Sequence, residues 1–79
     1  MKAYGEWKAG DYGFHRLYLP HGLQIVLGWD AIGGQGGYKV SSFGVTLKAR
    51  PKDLNEAKAL GVKLARKLLV DALGALPNE

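Results

Sequence analysis

At 79 residues, with 47% hydrophobic and 23% charged side chains, the chain predicts one domain, residues 1–79, able to bury only about 60% of its unfolded surface. The absence of cysteine excludes a disulfide framework and a thiolate zinc site, so a chain this small must pack very well or associate. The formal charge of +4 and pI near 9.5 suit a protein that meets polyanions, although solubility alone also uses such a charge. Most of the excess falls in residues 41–79, where seven Lys/Arg stand against four acids and Lys48, Arg50 and Lys52 form the densest knot.

Residues 1–11 mix glycine, lysine and aromatics without a period. They predict an irregular lead-in, with Trp7 folding back as an apolar lid. Neither this segment nor any other holds an apolar run of signal-peptide or membrane-spanning length, which predicts a cytoplasmic protein. From Tyr12 to Leu19 alternation predicts a strand with Tyr12, Phe14, Arg16 and Tyr18 on one side and Leu17 and Leu19 on the other. Pro20-His21-Gly22 reads as the turn that closes it.

Leu23 to Asp30 is the clearest strand, with Leu23, Ile25, Leu27 and Trp29 facing the core and Gln24, Val26, Gly28 and Asp30 facing away. Four glycines among residues 33–37 predict a mobile hairpin loop. Tyr38–Ser42 and Val45–Ala49 then read as two strands reversed at Phe43-Gly44. A single strand with a bulge at Gly44 is the rival reading.

Asp53 with Glu56 three residues on matches a helix start, and Pro77 stops a helix over 53–76. Its core stripe runs through Leu54, Ala57, Gly61, Leu64, Ala65, Leu68 and Ala72, with the small residues allowing close approach to the sheet. Such a helix is about 36 Å long, against roughly 20 to 26 Å for the strands, so its last turns should overhang. Val62, Leu69, Leu73 and Leu76 make a second apolar line that reads either as a wide core stripe or as a homodimer interface. The elements together predict an α+β fold, an antiparallel sheet of three to four strands in ββββα order over 12–49, packed on one long C-terminal helix.

Chemistry has little to draw on. The glycine loop is followed by a strand, whereas phosphate-cradling loops need a helix there. His15 and His21 lack the acids of a metal site, so neither metal nor cofactor is expected. Ser41, Ser42, His15 and Asp30 supply the letters of a hydrolase triad without a strained nucleophile turn, and the chain reads as a non-enzyme.

The outward sheet face is the stronger candidate. Tyr12, Phe14, Arg16, Tyr18, Lys39 and Lys48 fall on it with Arg50, and Lys52 extends its basic edge. Aromatics there can stack on bases while cations follow the phosphates. The predicted function is a small basic module that binds nucleic acid, single strands foremost, and dimerises through Val62, Leu69, Leu73 and Leu76. The alternative is a protein-interaction or inhibitor module, of the kind that phage accessory and anti-CRISPR-type proteins represent, which occupies the surface of a nucleic-acid-handling protein. In element order alone, Phe43–Lys48 leading into Asp53–Ala57 after three strands resembles the Whirly and Pur-alpha repeats and the transcriptional coactivator single-strand binders, which implies single-strand binding on a sheet surface. A three-strand reading is similar to double-stranded-RNA-binding and plant-type DNA-binding sheets.

Overall fold

Alternation in one strand sets the two-layer arrangement of this computed structural model, which describes residues 4–30 and 36–77. In β3 (Gln24–Asp30) the side chains of Ile25 and Leu27 are buried, and their cross-strand partners Leu17, Val40 and Ser42 are buried with them. β1 (Trp7–Ala9), β2 (His15–Tyr18), β3, β4 (Gly37–Ser42) and β5 (Val45–Thr46) pair antiparallel in chain order. One helix, α1 (Leu54–Ala75), covers the face carrying Ile25 and Leu27. The fold is α+β, as expected, with one strand more.

The helix begins where the capping residue dictates. Asp53 is extended, and its carboxylate accepts the Glu56 N–H at 3.2 Å, satisfying one of the donors that a helix start leaves open. Ala57, Gly61 and Ala65 are its buried residues. Ala57 packs in one cluster with Leu27 and Val40, Ala65 in a second with Leu17 and Ile25, and Gly61 lies between them. A Cβ at Gly61 would stand 2.8 Å from Ile25 Cγ2, and the Gly61 carbonyl accepts the buried Ser42 hydroxyl at 2.8 Å. Glycine is here because the helix backbone rests almost on the sheet.

Several expectations change. The lead-in contains a strand: β1 pairs with β2, and Trp7 packs on both core clusters, with Lys58 Nζ 5.8 Å from its ring centroid. The strand expected from Tyr12 starts only at His15, because Tyr12 and Gly13 take left-handed φ of 59° and 75° and form a tight turn instead. Phe43 and Gly44, at φ of 52° and 85°, make a true reversal, so residues 38–49 are two strands and not one. The second of them is short. After Thr46 the chain stays on β4 through the Leu47 N–H, which donates to Val40 O at 2.9 Å, and the Pro51 carbonyl, which accepts from the Tyr38 N–H at 2.7 Å, and Ala49 is exposed, not core. Trp29 does lie in phase with Ile25 and Leu27, but it remains 46% exposed, edge-on to Tyr38 at 5.0 Å. The glycines expected to form the loop fall outside the described residues at 33 and 34. Gly37 lies in β4, where a Cβ would stand 2.7 Å from Arg50 O.

The last buried residue of α1 is Ala65, ten residues before its end. Leu68 is half-buried and every helical residue after it is exposed, which at 1.5 Å per residue leaves about 10 Å of bare helix, in a molecule whose long axis is 50 Å. The expected overhang is present. No described helix is long and apolar enough to cross a membrane.

The two helix glycines have opposite surroundings, which gives a direct test. Gly61→Ala improves helix propensity by about 1 kcal/mol but drives a methyl into buried Ile25, and overpacking of this kind costs about 1–3 kcal/mol. Gly74, with nothing within 4 Å of its would-be Cβ, has only the propensity gain. Urea denaturation should therefore show Gly61→Ala destabilised and Gly74→Ala stabilised.

Candidate nucleic-acid interface

The face of the sheet opposite the helix carries every second residue of each strand. The register aligns Lys8, Arg16, Val26, Ser41 and Thr46 in one row across all five strands, Tyr18 with Gln24 beside it, and Gly28 with Lys39. The helix α1 packs on the other face. Tyr18, Gln24, Lys39, Thr46 and Lys8 are exposed, and Arg16, Val26 and Ser41 are half-buried.

Gly28 shapes the surface. A Cβ on it would lie 2.7 Å from Phe14 Cε1, so the missing side chain lets the Phe14 ring lie against the strand backbone. The turn before β2 delivers that ring: the Gly10 N–H donates to Phe14 O at 2.7 Å and the Phe14 N–H to Asp11 O at 3.2 Å. The Arg16 guanidinium sits 5.5 Å from the Phe14 ring centroid, a cation–π distance that holds the cation on the face rather than free in water. Ser41 and Thr46 hydroxyls meet at 2.8 Å on the same row.

Lys8 and Arg16 are direct cross-strand partners. Like charges in that position repel, and an anion bound between them removes the repulsion. Lys8 was not anticipated, since β1 is only three residues long and shows no alternation. The available signal is Gly5 and Gly10 bracketing Trp7-Lys8-Ala9.

The remaining expected residues fall elsewhere. Tyr12 stands at the tip of its turn, exposed and off the strand row. Lys48 and Lys52 are exposed beyond β5, in the connection to α1. Arg50 folds back on that connection, where its Nη1 donates to the carbonyls of Leu47, Lys48 and Ala49 at 2.7, 3.3 and 3.3 Å and its Nε lies 3.8 Å from Asp30 Oδ2. Its guanidinium braces the loop. The open face therefore unites Phe14, Arg16, Tyr18 and Lys39 with Lys8, and leaves Tyr12, Lys48, Arg50 and Lys52 at its margins.

Both histidines lie off this face. His15 is half-buried on the helix side, edge-on to Tyr38 at 6.3 Å, and His21 is exposed in a turn. Among the described residues no group of three His, Asp or Glu side chains is placed to hold a metal ion. Comparisons with family models, with curated proteins and with solved structures return no match to this chain.

The Phe14 ring has a spectroscopic signature. With the ring against Gly28, the Gly28 Hα resonances should be shifted upfield by its ring current and return to ordinary values in Phe14→Leu. Stability should change by less than about 1.5 kcal/mol, as expected for a half-exposed aromatic replaced by another apolar residue.

Proposed function

We propose that the chain is a small basic binding module that engages single-stranded nucleic acid on its open sheet face. The observation that carries this reading is the placement of Lys8 directly opposite Arg16, beside the Phe14 ring and on the same face as Tyr18 and Lys39. Phosphates relieve the repulsion between the cations, and Phe14 and Tyr18 offer ring surface to bases. Such stacking contributes about 1–3 kcal/mol per base and tolerates sequence. No pocket is required. The depression on this face, bordered by Gln24, Val26, Ser41 and Phe43, holds no charged side chain among its lining residues, whereas the cations lie along the face beside it, which suits an extended anionic strand.

Three cations on the face give a definite salt dependence. Fluorescence anisotropy with a labelled oligonucleotide should show a log–log slope of affinity on salt of about −2, from about −0.7 per phosphate neutralised on a single strand. Arg16→Ala with Lys39→Ala should flatten it toward the value for one contact, whereas Lys63→Ala on the helix leaves it unchanged. Absence of binding at about 50 mM salt, where phosphate contacts are strongest, would overturn the reading, as would a slope unmoved by the double variant.

A protein-binding role is the second reading, supported by half-exposed Trp29 and Tyr18 on opposite faces of the sheet. A partner held this way is recovered from a pull-down after nuclease treatment. A partner bridged by nucleic acid is not.

A further inference from the structure

The open face is not uniform. Beside its cations, the depression bordered by Gln24, Val26, Ser41 and Phe43 lies between two tight turns. Gly22 ends the turn into β3 at φ of 76°, and Gly44 the turn into β5 at 85°. Both glycines line the depression, and nothing lies within 4 Å of a would-be Cβ on either. Entry past the two turns is therefore open.

The register fixes what the depression offers. Val26 pairs with Ser41 and Ser41 with Thr46, and the two hydroxyls meet at 2.8 Å. One proton lies in that bond, and the pair keeps a second O–H to donate and lone pairs to accept. Gln24, exposed on the same face of β3 as Val26, adds an amide with an acceptor oxygen and a donor NH2. Half-buried Val26 gives an aliphatic floor. Neutral donors, neutral acceptors and apolar surface are all present, and the lining carries no charge. A phosphate finds no cation there. An unpaired nucleobase does find its complement, since its ring faces are apolar and its edge carries neutral donors and acceptors.

The neighbouring strand supplies the rest of a nucleotide's requirements. Arg16 is the partner of Val26, and Tyr18 the partner of Gln24. The strand that carries a cation and an exposed ring thus runs one spacing, about 4.8 Å, from the floor of the depression. A nucleic-acid strand whose phosphates follow Lys8 and Arg16 needs only to turn one base across β3 to fill it.

We propose that this depression is a base subsite, which takes one unpaired nucleobase of the bound strand and holds its edge by hydrogen bonds with the Gln24 amide and the Ser41–Thr46 hydroxyl pair. The inference rests on the nucleic-acid reading of the open face. It adds a point at which the neutral part of the strand is gripped, where stacking alone tolerates any sequence.

Probes of opposite character test it by NMR on the labelled protein. Adenosine carries no phosphate, and its base is one that a glutamine amide meets with two bonds. At millimolar concentration it should shift the Gln24 side-chain NH2 and the Val26 methyl resonances, equally at about 50 and 200 mM salt, because no phosphate contact is involved. An abasic deoxyribose-phosphate octamer should shift the Lys8 and Arg16 amides and leave the Val26 methyls in place. In anisotropy, Gln24→Leu should weaken binding of a deoxyadenosine octamer at least about fivefold, with its salt slope unchanged, and should leave the affinity for the abasic octamer unaltered. A deoxyadenosine octamer that shifts Lys8 and Arg16 but neither Gln24 nor Val26 overturns the subsite while the nucleic-acid reading stands. Gln24→Leu that binds the deoxyadenosine octamer as the wild type does overturns the subsite as well, as does equal weakening of both octamers. Octamers that shift none of these resonances overturn the subsite and the reading together.

Discussion

Everything in this molecule is arranged around the distance between one helix and one sheet. At Gly61 the helix backbone comes close enough that a methyl would strike Ile25, and the Ser42 hydroxyl reaches the Gly61 carbonyl directly. Ser42 is the only buried polar or charged residue among those described, and that hydrogen bond offsets the loss of its hydration. Small residues one turn to either side, Ala57 and Ala65, keep the approach close over two turns. The core is therefore thin: Leu17, Ile25, Leu27 and Val40 are its large buried hydrophobic side chains, and Trp7, Leu19, Tyr38, Phe43, Leu47, Leu54 and Val62 pack around them partly buried. A chain this short has few large residues to spare, and a thin layer is filled by few.

The same economy explains the two surfaces left over. One helix can cover only one face of five strands, so the other face meets solvent and is written in residues that water accepts, namely lysine, arginine, serine, threonine and half-exposed aromatics. The sheet is also shorter than the helix that covers it, so the helix outruns its support. Its composition does not turn polar when it does so. These outcomes differ in meaning, because a polar open face is stable in water as it stands, whereas leucines on a bare helix are not.

Much of this was legible in the chain. The phase of Ile25 and Leu27, the capping pair Asp53 and Glu56, the reversal at Phe43-Gly44 and the small-residue stripe of α1 are local patterns, each set by the chemistry of a few neighbouring residues. What was not legible depends on distant partners. β1 exists because Lys8 and Ala9 find β2, and three residues cannot announce alternation. Tyr12 looked like a strand residue because it continues the phase of Phe14 and Arg16, yet the Tyr12-Gly13 turn takes it out of the sheet. Arg50 read as a free cation in a basic knot, and only the fold of residues 47–51 shows that its own loop carbonyls hold it. On the open face, the pattern identified Phe14, Arg16, Tyr18 and Lys39 but not Lys8 across from Arg16.

Arg50 also bears on how the sheet ends. A strand edge recruits further strands through its unpaired carbonyls and amides, and β5 has only two residues to offer. Just past it, three successive carbonyls that could have extended that edge are already occupied by one guanidinium. At the other side β1 is three residues long and bounded by Gly5 and Gly10. Both edges of the described sheet are thus short, and a further strand laid against either would find few backbone groups in register to pair with.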